Sequence, residues 1–223
     1  MRTFLLAFTA FFSIVNPLSS AFIFFGATQG LDPKMRKQVS RWVAIYSFAI
    51  VAFSLYVGAY VLSFFGITLP VLRVAGGVII SMSGWRMLTA PDVTEQRRSE
   101  GPTALPAHVS ASRLAFYPLT MPLTTGPGTI SVAISIGANR PNDFGVDLVQ
   151  FVGQTLLAAG LLSLLIFVSY RHSARLARAV GLTGTTIVVR LSAFLLFCIG
   201  IQIFWLGTAE LLSSLPVAVS SQN

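Results

Sequence analysis

The sequence contains MPLTTGPG at residues 121–128 and NPLSS at residues 16–20, and each stretch interrupts an apolar run of membrane-spanning length. In hydrocarbon, an unpaired backbone amide or carbonyl costs several kcal/mol, so helix-breaking residues persist there only where protein or trapped water satisfies the freed groups. Breaks in corresponding positions of two halves are typical of a transporter's substrate site. The two stretches therefore predict a polar cavity between the first and fourth spans.

The composition is that of an integral membrane protein. Of the 223 residues, 54% are hydrophobic and 10% are charged, and the mean hydropathy is +0.78, which exceeds what water-soluble domains carry. A helical span needs roughly 20 apolar residues. Apolar runs lie at residues 3–31, 42–72, 70–88, 114–139, 148–170 and 191–209. We therefore expect an all-α protein with six transmembrane helices in a lipid bilayer.

The first apolar run also has features of a cleavable signal peptide, since Arg2 precedes it and small residues follow at 19–21. The run continues through Phe25, however, and it carries one of the two breaks. The sequence therefore favours a retained first span.

Basic residues are concentrated in three predicted loops. Each of these loops, with its flanks, carries four Lys or Arg side chains, which together are twelve of the fifteen in the chain. They are Lys34, Arg36, Lys37 and Arg41; Arg86, Arg97, Arg98 and Arg113; and Arg171, Arg175, Arg178 and Arg190. Because Lys and Arg concentrate on the cytoplasmic side, both termini are predicted on the non-cytoplasmic side of a bacterial cytoplasmic membrane. The basic residues of these short membrane loops explain the net charge of +8, and no nucleic acid partner is expected.

The two halves of the chain share a weak but ordered similarity. The matched pairs are Pro17-Leu18 with Pro122-Leu123, Ser19-Ser20 with Thr124-Thr125, residues 65–68 with 180–183, and Arg73 with Arg190. Because each half holds three spans, an odd number, a duplicated half inserts upside down relative to the other. We predict two inverted three-helix repeats at residues 1–90 and 113–212, with the first and fourth helices broken. Residues 91–112 are predicted as a cytoplasmic linker of little fixed structure, and residues 213–223 as a short tail.

Small residues recur along two of the predicted spans. Gly77 and Gly84 fall on one face of the third span, and Ala193, Gly200 and Gly207 recur every seven residues in the sixth. Small residues on one face allow helix backbones to approach closely. Both patterns therefore predict close-packing surfaces.

Three stretches resemble the MarC-like family of integral membrane proteins. They are the Asn-Pro of the first span, FGITLPVLRVAGG at residues 65–77 and PLTMPLTTGPGTIS at residues 118–131. The resemblance covers nearly the whole chain. It implies a six-span inner-membrane protein of a family named after an antibiotic-resistance locus, some of whose members look like transporters of small neutral amino acids. The chain departs from that family after Asn16-Pro17, where relatives usually have Gly and a second Pro in place of residues 19–22 here.

The predicted substrate site lies at the two breaks. Half-helix N-termini there can face a carboxylate, while hydroxyl, amide and glycine positions can contact a ligand. The predicted substrate-binding residues are Asn16, Ser19, Ser20, Thr124, Thr125, Gly126 and Gly128, and the helix-breaking residues are Pro17, Pro122 and Pro127. The alternative interpretation is that both breaks are kinks relieved by close helix packing.

Two arginines stand near the starts of predicted spans. Arg73 follows Pro70 by three residues, and Arg190 follows the threonines at 185 and 186. We predict that each is an entrance residue that binds a substrate carboxylate or a backbone carbonyl of the facing break. The alternative is that each long side chain extends to the lipid headgroups.

The remaining polar residues argue against catalysis. None of the seven acids lies in the middle of a span, both histidines lie in predicted loops, and Cys198 is the single cysteine. No enzymatic activity, cofactor or metal is therefore expected. Two modes of transport stay open. One is sodium-coupled transport, with hydroxyls and unwound backbone carbonyls as the sodium ligands, and the other is uncoupled export.

Together these features predict a secondary transporter or exporter that moves a small-molecule substrate, such as a neutral amino acid or another zwitterionic solute, by alternating access. A non-transporting membrane protein that assembles with or stabilises a partner is the alternative. A homo-oligomer is left open.

Overall fold

The structure is a computed structural model that describes residues 1–28, 30–90, 110–141 and 145–214. Within these residues all regular structure is helical, which confirms the all-α prediction. Most of the predicted linker at 91–112 and most of the predicted tail at 213–223 lie outside the described residues.

Nine α-helices and one π-helix make up the described chain. They are α1 Arg2–Val15, α2 Pro17–Ala27, α3 Pro33–Tyr56, α4 Gly58–Phe64, α5 Leu69–Thr89, α6 Ala111–Leu114, the π-helix Ala115–Thr124, α7 Pro127–Ala138, α8 Val146–Arg171 and α9 Ser173–Ser213. Proline is the first residue of α2, α3 and α7. This placement is expected, because the first helical residue needs no N–H donor and the fixed φ of proline suits a helix start.

Five described stretches are long and apolar enough to cross a membrane. They are Arg2–Ala27, which combines α1 and α2, Pro33–Tyr56, Leu69–Thr89, Val146–Arg171 and Thr183–Ser213. Helix α7 is also apolar but has only 12 residues. The chain is thus a multi-pass membrane protein with five candidate spans and one shorter apolar helix.

Helix α9 differs from the sequence prediction. The basic segment before the last span was predicted as a loop, but α9 is assigned from Ser173 to Ser213 and contains one non-helical residue, Gly181. Gly181 has φ 73°, a conformation that glycine adopts without steric cost. The change of direction is therefore confined to a single residue, and the predicted loop residues on both sides of it are helical.

Helices α5 and α9 form the most extensive helix pair in the described chain. A Cβ atom added at Gly77 would meet the Gly200 carbonyl, and one added at Gly84 would meet the Ala193 carbonyl. Contacts that move forwards along α5 move backwards along α9, so the helices are antiparallel. The predicted close-packing surfaces are confirmed, and they face each other.

Helices α3 and α8 form a second antiparallel pair. Ser163 Oγ donates to the Ala44 carbonyl at 2.6 Å, and the hydroxyls of Tyr56 and Thr155 lie 2.7 Å apart. Interhelical hydrogen bonds of this kind satisfy polar groups that hydrocarbon cannot. The pair lies at the centre of the bundle, where the largest fully buried side chains include Phe11, Phe24, Leu55, Leu162, Ile166 and Tyr170.

The two interrupted segments, α1 with α2 and the π-helix with α7, pack on different helices. Helix α2 packs on α8 and α9, whereas α7 packs on α3 and α5. Similarly, α1 packs on α8, and the π-helix packs on α3. This arrangement brings both predicted breaks against the central α3–α8 pair.

Candidate functional site

The first break is a single residue between α1 and α2. Asn16 has φ 43° and ψ 70°, a left-handed conformation that asparagine tolerates better than most residues. Its N–H donates to the Phe12 carbonyl at 2.8 Å, and its Oδ1 accepts from the Ser19 N–H at 3.3 Å. Asn16 therefore ends one helix and caps the next, with Pro17 in the first position of α2.

Two serines follow this break, and they are bonded differently. In a continuous helix the Ser19 N–H would donate to the Val15 carbonyl. Because Asn16 takes that N–H, the carbonyl is free and accepts instead from Ser20 Oγ at 2.7 Å. Ser19 Oγ is buried and has no hydrogen-bond partner in the described structure. The first break thus contains one satisfied hydroxyl and one unsatisfied hydroxyl.

The second break extends over many more residues than the first. Tyr117 and Met121 have extended backbone angles inside the π-helix, and each directly precedes a proline, which disfavours the helical conformation in the residue before it. Thr125 and Gly126 are also non-helical, and α7 begins at Pro127 without a side-chain cap. Three prolines therefore produce one long interruption.

The structure changes the register of the sequence comparison. Pro17 was matched with Pro122, but Pro122 lies inside the π-helix, whereas Pro17 and Pro127 both begin a half-helix. Ser19 and Thr129 are each the third residue of a half-helix, and each is buried. Pro127, which begins the second half-helix, stands five residues after the Pro122 that the sequence matched with Pro17.

Threonine hydroxyls satisfy carbonyls at the second break. Thr120 Oγ1 donates to the Ala115 carbonyl at 2.7 Å, and Thr124 Oγ1 donates to the Leu119 carbonyl at 2.6 Å. Thr125 Oγ1 donates to Ser47 Oγ of α3 at 2.8 Å. These hydroxyls meet the backbone requirement that hydrocarbon imposes on a broken helix.

Tyr170 joins the two breaks. Its hydroxyl lies 2.7 Å from Thr124 Oγ1 of the second break. Its ring is fully buried and stacks on Phe24 of α2, with centroids 4.4 Å apart. We refer to six buried residues as the hydroxyl cluster: Ser19, Ser20, Ser47, Thr124, Thr125 and Tyr170.

The predicted glycine contacts have a different partner. A Cβ atom added at Gly128 would overlap the Ile80 side chain of α5, so Gly128 allows α7 to approach α5. Gly126 is half-buried and precedes α7 in an extended conformation. Gly128 thus has a packing contact, and the predicted substrate contacts of Gly126 and Gly128 stay a prediction.

The two predicted entrance arginines lie in different environments. Arg73 pairs with Glu210 of α9, and its Nε donates to Ser135 Oγ of α7 at 3.0 Å. Arg190 lies inside α9 and is exposed. Arg73 therefore connects three separate helices, and its carboxylate partner belongs to the protein itself.

Comparisons with known proteins agree with this membrane architecture. A family model described as MarC family integral membrane protein matches residues 1–212. The chain belongs to the MarC family. It is 35% identical over 212 residues to the inner membrane protein MarC of Citrobacter koseri, covering 90% of this chain and 91% of the relative. The MarC proteins of Escherichia coli K12 and Shigella flexneri are each 34% identical over 208 residues, with the same coverage. No solved structure matches.

Sequence reasoning missed Tyr170 and Glu210, the partners of Thr124 and Arg73. Tyr170 precedes Arg171 at the end of an apolar run, where a tyrosine is typical of the membrane interface. Glu210 lies near the end of α9, and in the sequence it counts only among the acids outside the middle of a span. A signal for Glu210 did exist, because Arg73 near the start of one span calls for a carboxylate on a neighbouring helix. Within the described residues, no group of three His, Cys, Asp or Glu side chains is placed to hold a metal.

Proposed function

We propose that this multi-pass inner-membrane protein is a secondary transporter of a small zwitterionic solute, such as a neutral amino acid, with its substrate site at the hydroxyl cluster. The observation that carries the proposal is Ser19 Oγ, which is buried without a partner beside the first break. A buried hydroxyl without a hydrogen bond lowers the stability of the folded protein by roughly 1–3 kcal/mol, the cost of removing it from water. A polar ligand group at Ser19 would recover that energy.

The chemistry around Ser19 suits the carboxylate of a zwitterionic solute that has a small side chain. The first turn of α2 directs backbone N–H groups and the positive end of the helix dipole toward the break, and both favour an anionic group. Hydroxyls of Ser20, Thr124 and Tyr170 can donate to or accept from the same ligand. No described Asp or Glu belongs to the hydroxyl cluster, and the proposal assigns no catalytic step to it.

We further propose six spans, with the π-helix and α7 together forming the fourth. Residues 115–138 would then be a broken span that corresponds to α1 and α2. Its short α7 resembles the half-helices that line transporter sites near the middle of a membrane. The proposed orientation keeps both termini on the non-cytoplasmic side.

The packing of the helices supports an inverted repeat. A two-fold axis in the membrane plane would exchange α3 with α8 and α5 with α9, and each of these pairs is antiparallel. The same exchange converts the contacts of α2 with α8 and α9 into those of α7 with α3 and α5. Gly66 and Gly181, which the sequence comparison had matched, are the two glycines with positive φ in the described chain.

Arg73 and its partners support a closed state on one side of the site. The N-terminal part of α5 and the C-terminal parts of α7 and α9 are joined there through Arg73, Ser135 and Glu210. Beside this junction lies a cavity of about 320 Å³, lined in part by Leu69 and Ala138. In the proposed cycle, the contacts of Arg73 with Ser135 and Glu210 break, and the site opens toward this cavity. The residues of the hydroxyl cluster move apart at the same time.

Reconstituted protein in liposomes provides the test. Labelled glycine, alanine and serine are offered in a counterflow exchange assay. At least one is expected to show saturable exchange, and Ser19→Ala is expected to reduce its rate about fivefold, the effect of losing one hydrogen bond. Ser83→Ala is the matched control, because Ser83 is exposed on α5 and bonds only its own helix at Ile79.

Two outcomes would contradict the proposal. One is exchange by Ser19→Ala at the wild-type rate, which would remove the hydroxyl cluster from the transport path. The other is no flux for any tested solute together with one stoichiometric protein partner in a pull-down. That result would favour the alternative of a non-transporting membrane protein that assembles with or stabilises a partner.

A further inference from the structure

A second polar region lies away from the hydroxyl cluster, between α3 and the chain at residues 112–117. It is a groove of about 410 Å³ lined by Tyr46, Ser112, Arg113, Phe116 and Tyr117. We refer to it as the aromatic groove. None of its residues belongs to the hydroxyl cluster or to the Arg73 junction, so its role is independent of the proposed transport function.

Aromatic rings form the walls of the aromatic groove. Tyr46 stacks on Trp42 with centroids 5.5 Å apart, and the edge of Phe116 meets Tyr46 at the same distance. Phe116 is 47% exposed and Tyr117 is 70% exposed, so much of this aromatic surface faces outward. On a membrane-spanning helix, such a surface faces lipid.

A cation and a hydroxyl stand beside these rings. Arg113 is exposed, and within the described part of the chain no carboxylate lies in ion-pair distance of it. Ser112 is half-buried, with its Oγ 3.3 Å from Ser110 Oγ. An arginine fork with nearby hydroxyls matches the oxygen atoms of a phosphate group.

The position of the groove along α3 indicates its depth. The first nine residues of α3 carry four basic side chains and end at Arg41, which marks the headgroup region. Tyr46 lies five residues further, about 7.5 Å along the axis at the helical rise. Trp42, between them, is typical of the membrane interface. The groove therefore lies where headgroups meet acyl chains.

We propose that the aromatic groove binds an anionic phospholipid of the cytoplasmic leaflet. Arg113 pairs with the phosphate, and the Ser112 hydroxyl donates to it. The upper part of an acyl chain lies against Phe116 and Tyr117. A soluble anion would use the charge but would gain nothing from the outward-facing rings, so the combination favours a lipid.

Tryptophan fluorescence can test this proposal directly. The three tryptophans are residues 42, 85 and 205, and replacing Trp85 and Trp205 with Phe leaves Trp42 as the reporter beside the groove. Quenching of Trp42 is measured in detergent micelles with brominated phosphatidylglycerol or brominated phosphatidylcholine. The anionic lipid is expected to reach half-maximal quenching at about fivefold lower mole fraction, the effect of one basic residue near the membrane surface.

Variants assign the preference to Arg113. Arg113→Gln is expected to remove the difference between the two lipids, and Arg113→Lys to keep part of it, because the charge remains without the planar fork. Arg178→Gln is the control, since Arg178 is exposed on α9 and its side chain bonds only the nearby Ala174 carbonyl. Unchanged elution in size-exclusion chromatography verifies that each variant is folded.

Three results would overturn the proposal. They are equal quenching by the two lipids in the parent, an undiminished preference in Arg113→Gln, and a loss of preference in Arg178→Gln as large as in Arg113→Gln. Inorganic phosphate that abolishes the preference, where chloride of equal ionic strength does not, would instead assign the groove to a soluble anion and would also overturn the lipid assignment.

Discussion

The two breaks solve the same physical problem in different ways. The first uses one residue, Asn16, which ends α1 and caps α2, and it leaves Ser19 Oγ without a partner. The second uses a ten-residue π-helix and two further non-helical residues, and its threonines bond backbone carbonyls or Ser47. The comparison indicates that the second break is mainly structural and that the first carries the open hydrogen-bonding capacity.

The half-helices that follow the breaks, α2 and α7, also differ in how closely neighbouring helices approach them. Helix α7 is held closely, because Cβ atoms added at Gly128 and Gly137 would overlap Ile80 and the Leu55 carbonyl. In α2, by contrast, nothing lies within 4 Å of a Cβ atom added at Gly26, near the end of that helix. We infer that α7 belongs to the rigid scaffold and that α2 is the freer of the two half-helices.

The largest expected effect comes from adding a methyl group to each half-helix. Gly137→Ala would overlap backbone and is expected to lower the free energy of unfolding by about 3 kcal/mol. Gly26→Ala has open space and is expected to be neutral or to stabilise α2 by about 0.5 kcal/mol. Thermal unfolding in detergent measures both. Equal destabilisation by the two substitutions would contradict the inferred difference between α2 and α7.

Removing a hydroxyl at the second break is expected to have an intermediate effect. Thr124→Val keeps the side-chain shape but leaves the Leu119 carbonyl without its hydroxyl donor and the Tyr170 hydroxyl without Thr124 Oγ1. The expected loss of stability is about 1.5 kcal/mol, near the upper end for interhelical bonds in membranes. Tyr170→Phe in the Thr124→Val background is expected to add little. A fully additive second loss would show that the two hydroxyls do not act together.

The backbone of the first break gives a smaller expected effect. Asn16→Ala removes the cap on Ser19 N–H and puts alanine in a left-handed conformation, and it is expected to cost about 1 kcal/mol. Asn16→Gly loses the same cap but adopts φ 43° freely, so its cost is expected to be smaller. A glycine variant less stable than the alanine variant would argue against the left-handed conformation at this position.

The smallest expected change in stability is at the residue most important for the proposed function. Ser19 Oγ has no hydrogen bond to lose, so Ser19→Ala is expected to leave the unfolding temperature unchanged or slightly raised while exchange falls. Ser20→Ala is the comparison, because it removes the hydroxyl that bonds the Val15 carbonyl. A Ser19→Ala variant destabilised as much as Ser20→Ala would mean that Ser19 already has a structural partner.

Sequence patterns predicted the features that depend on local chemistry. Asn16 and three prolines gave the positions of both breaks, and the small residues at 77, 84, 193 and 200 gave the α5–α9 contact. What the sequence could not give were partners distant along the chain. Tyr170 and Glu210 act through residues 46 and 137 positions away, and no local pattern reports such distances.

Two local features were also predicted in the wrong form. The basic segment between α8 and the last candidate span is helical, because Gly181 alone changes the chain direction. Pro122 was paired with Pro17 by its neighbouring leucine, whereas the first turn of the half-helix belongs to Pro127. In both cases several residues were compatible with a turn, and only packing decides which of them forms it.

Cysteine accessibility at the first break tests most directly whether the hydroxyl cluster opens to water. In a Cys198→Ser background, which removes the single native thiol, Ser19→Cys is compared with Ala158→Cys, a fully buried position on α8. Membrane vesicles are treated with a membrane-impermeant thiol reagent. We expect Ser19→Cys to react with the reagent and Ala158→Cys to stay inert. The amino acid that exchanges in liposomes is expected to slow the reaction of Ser19→Cys. Equal inertness of both cysteines from both membrane sides would contradict the account.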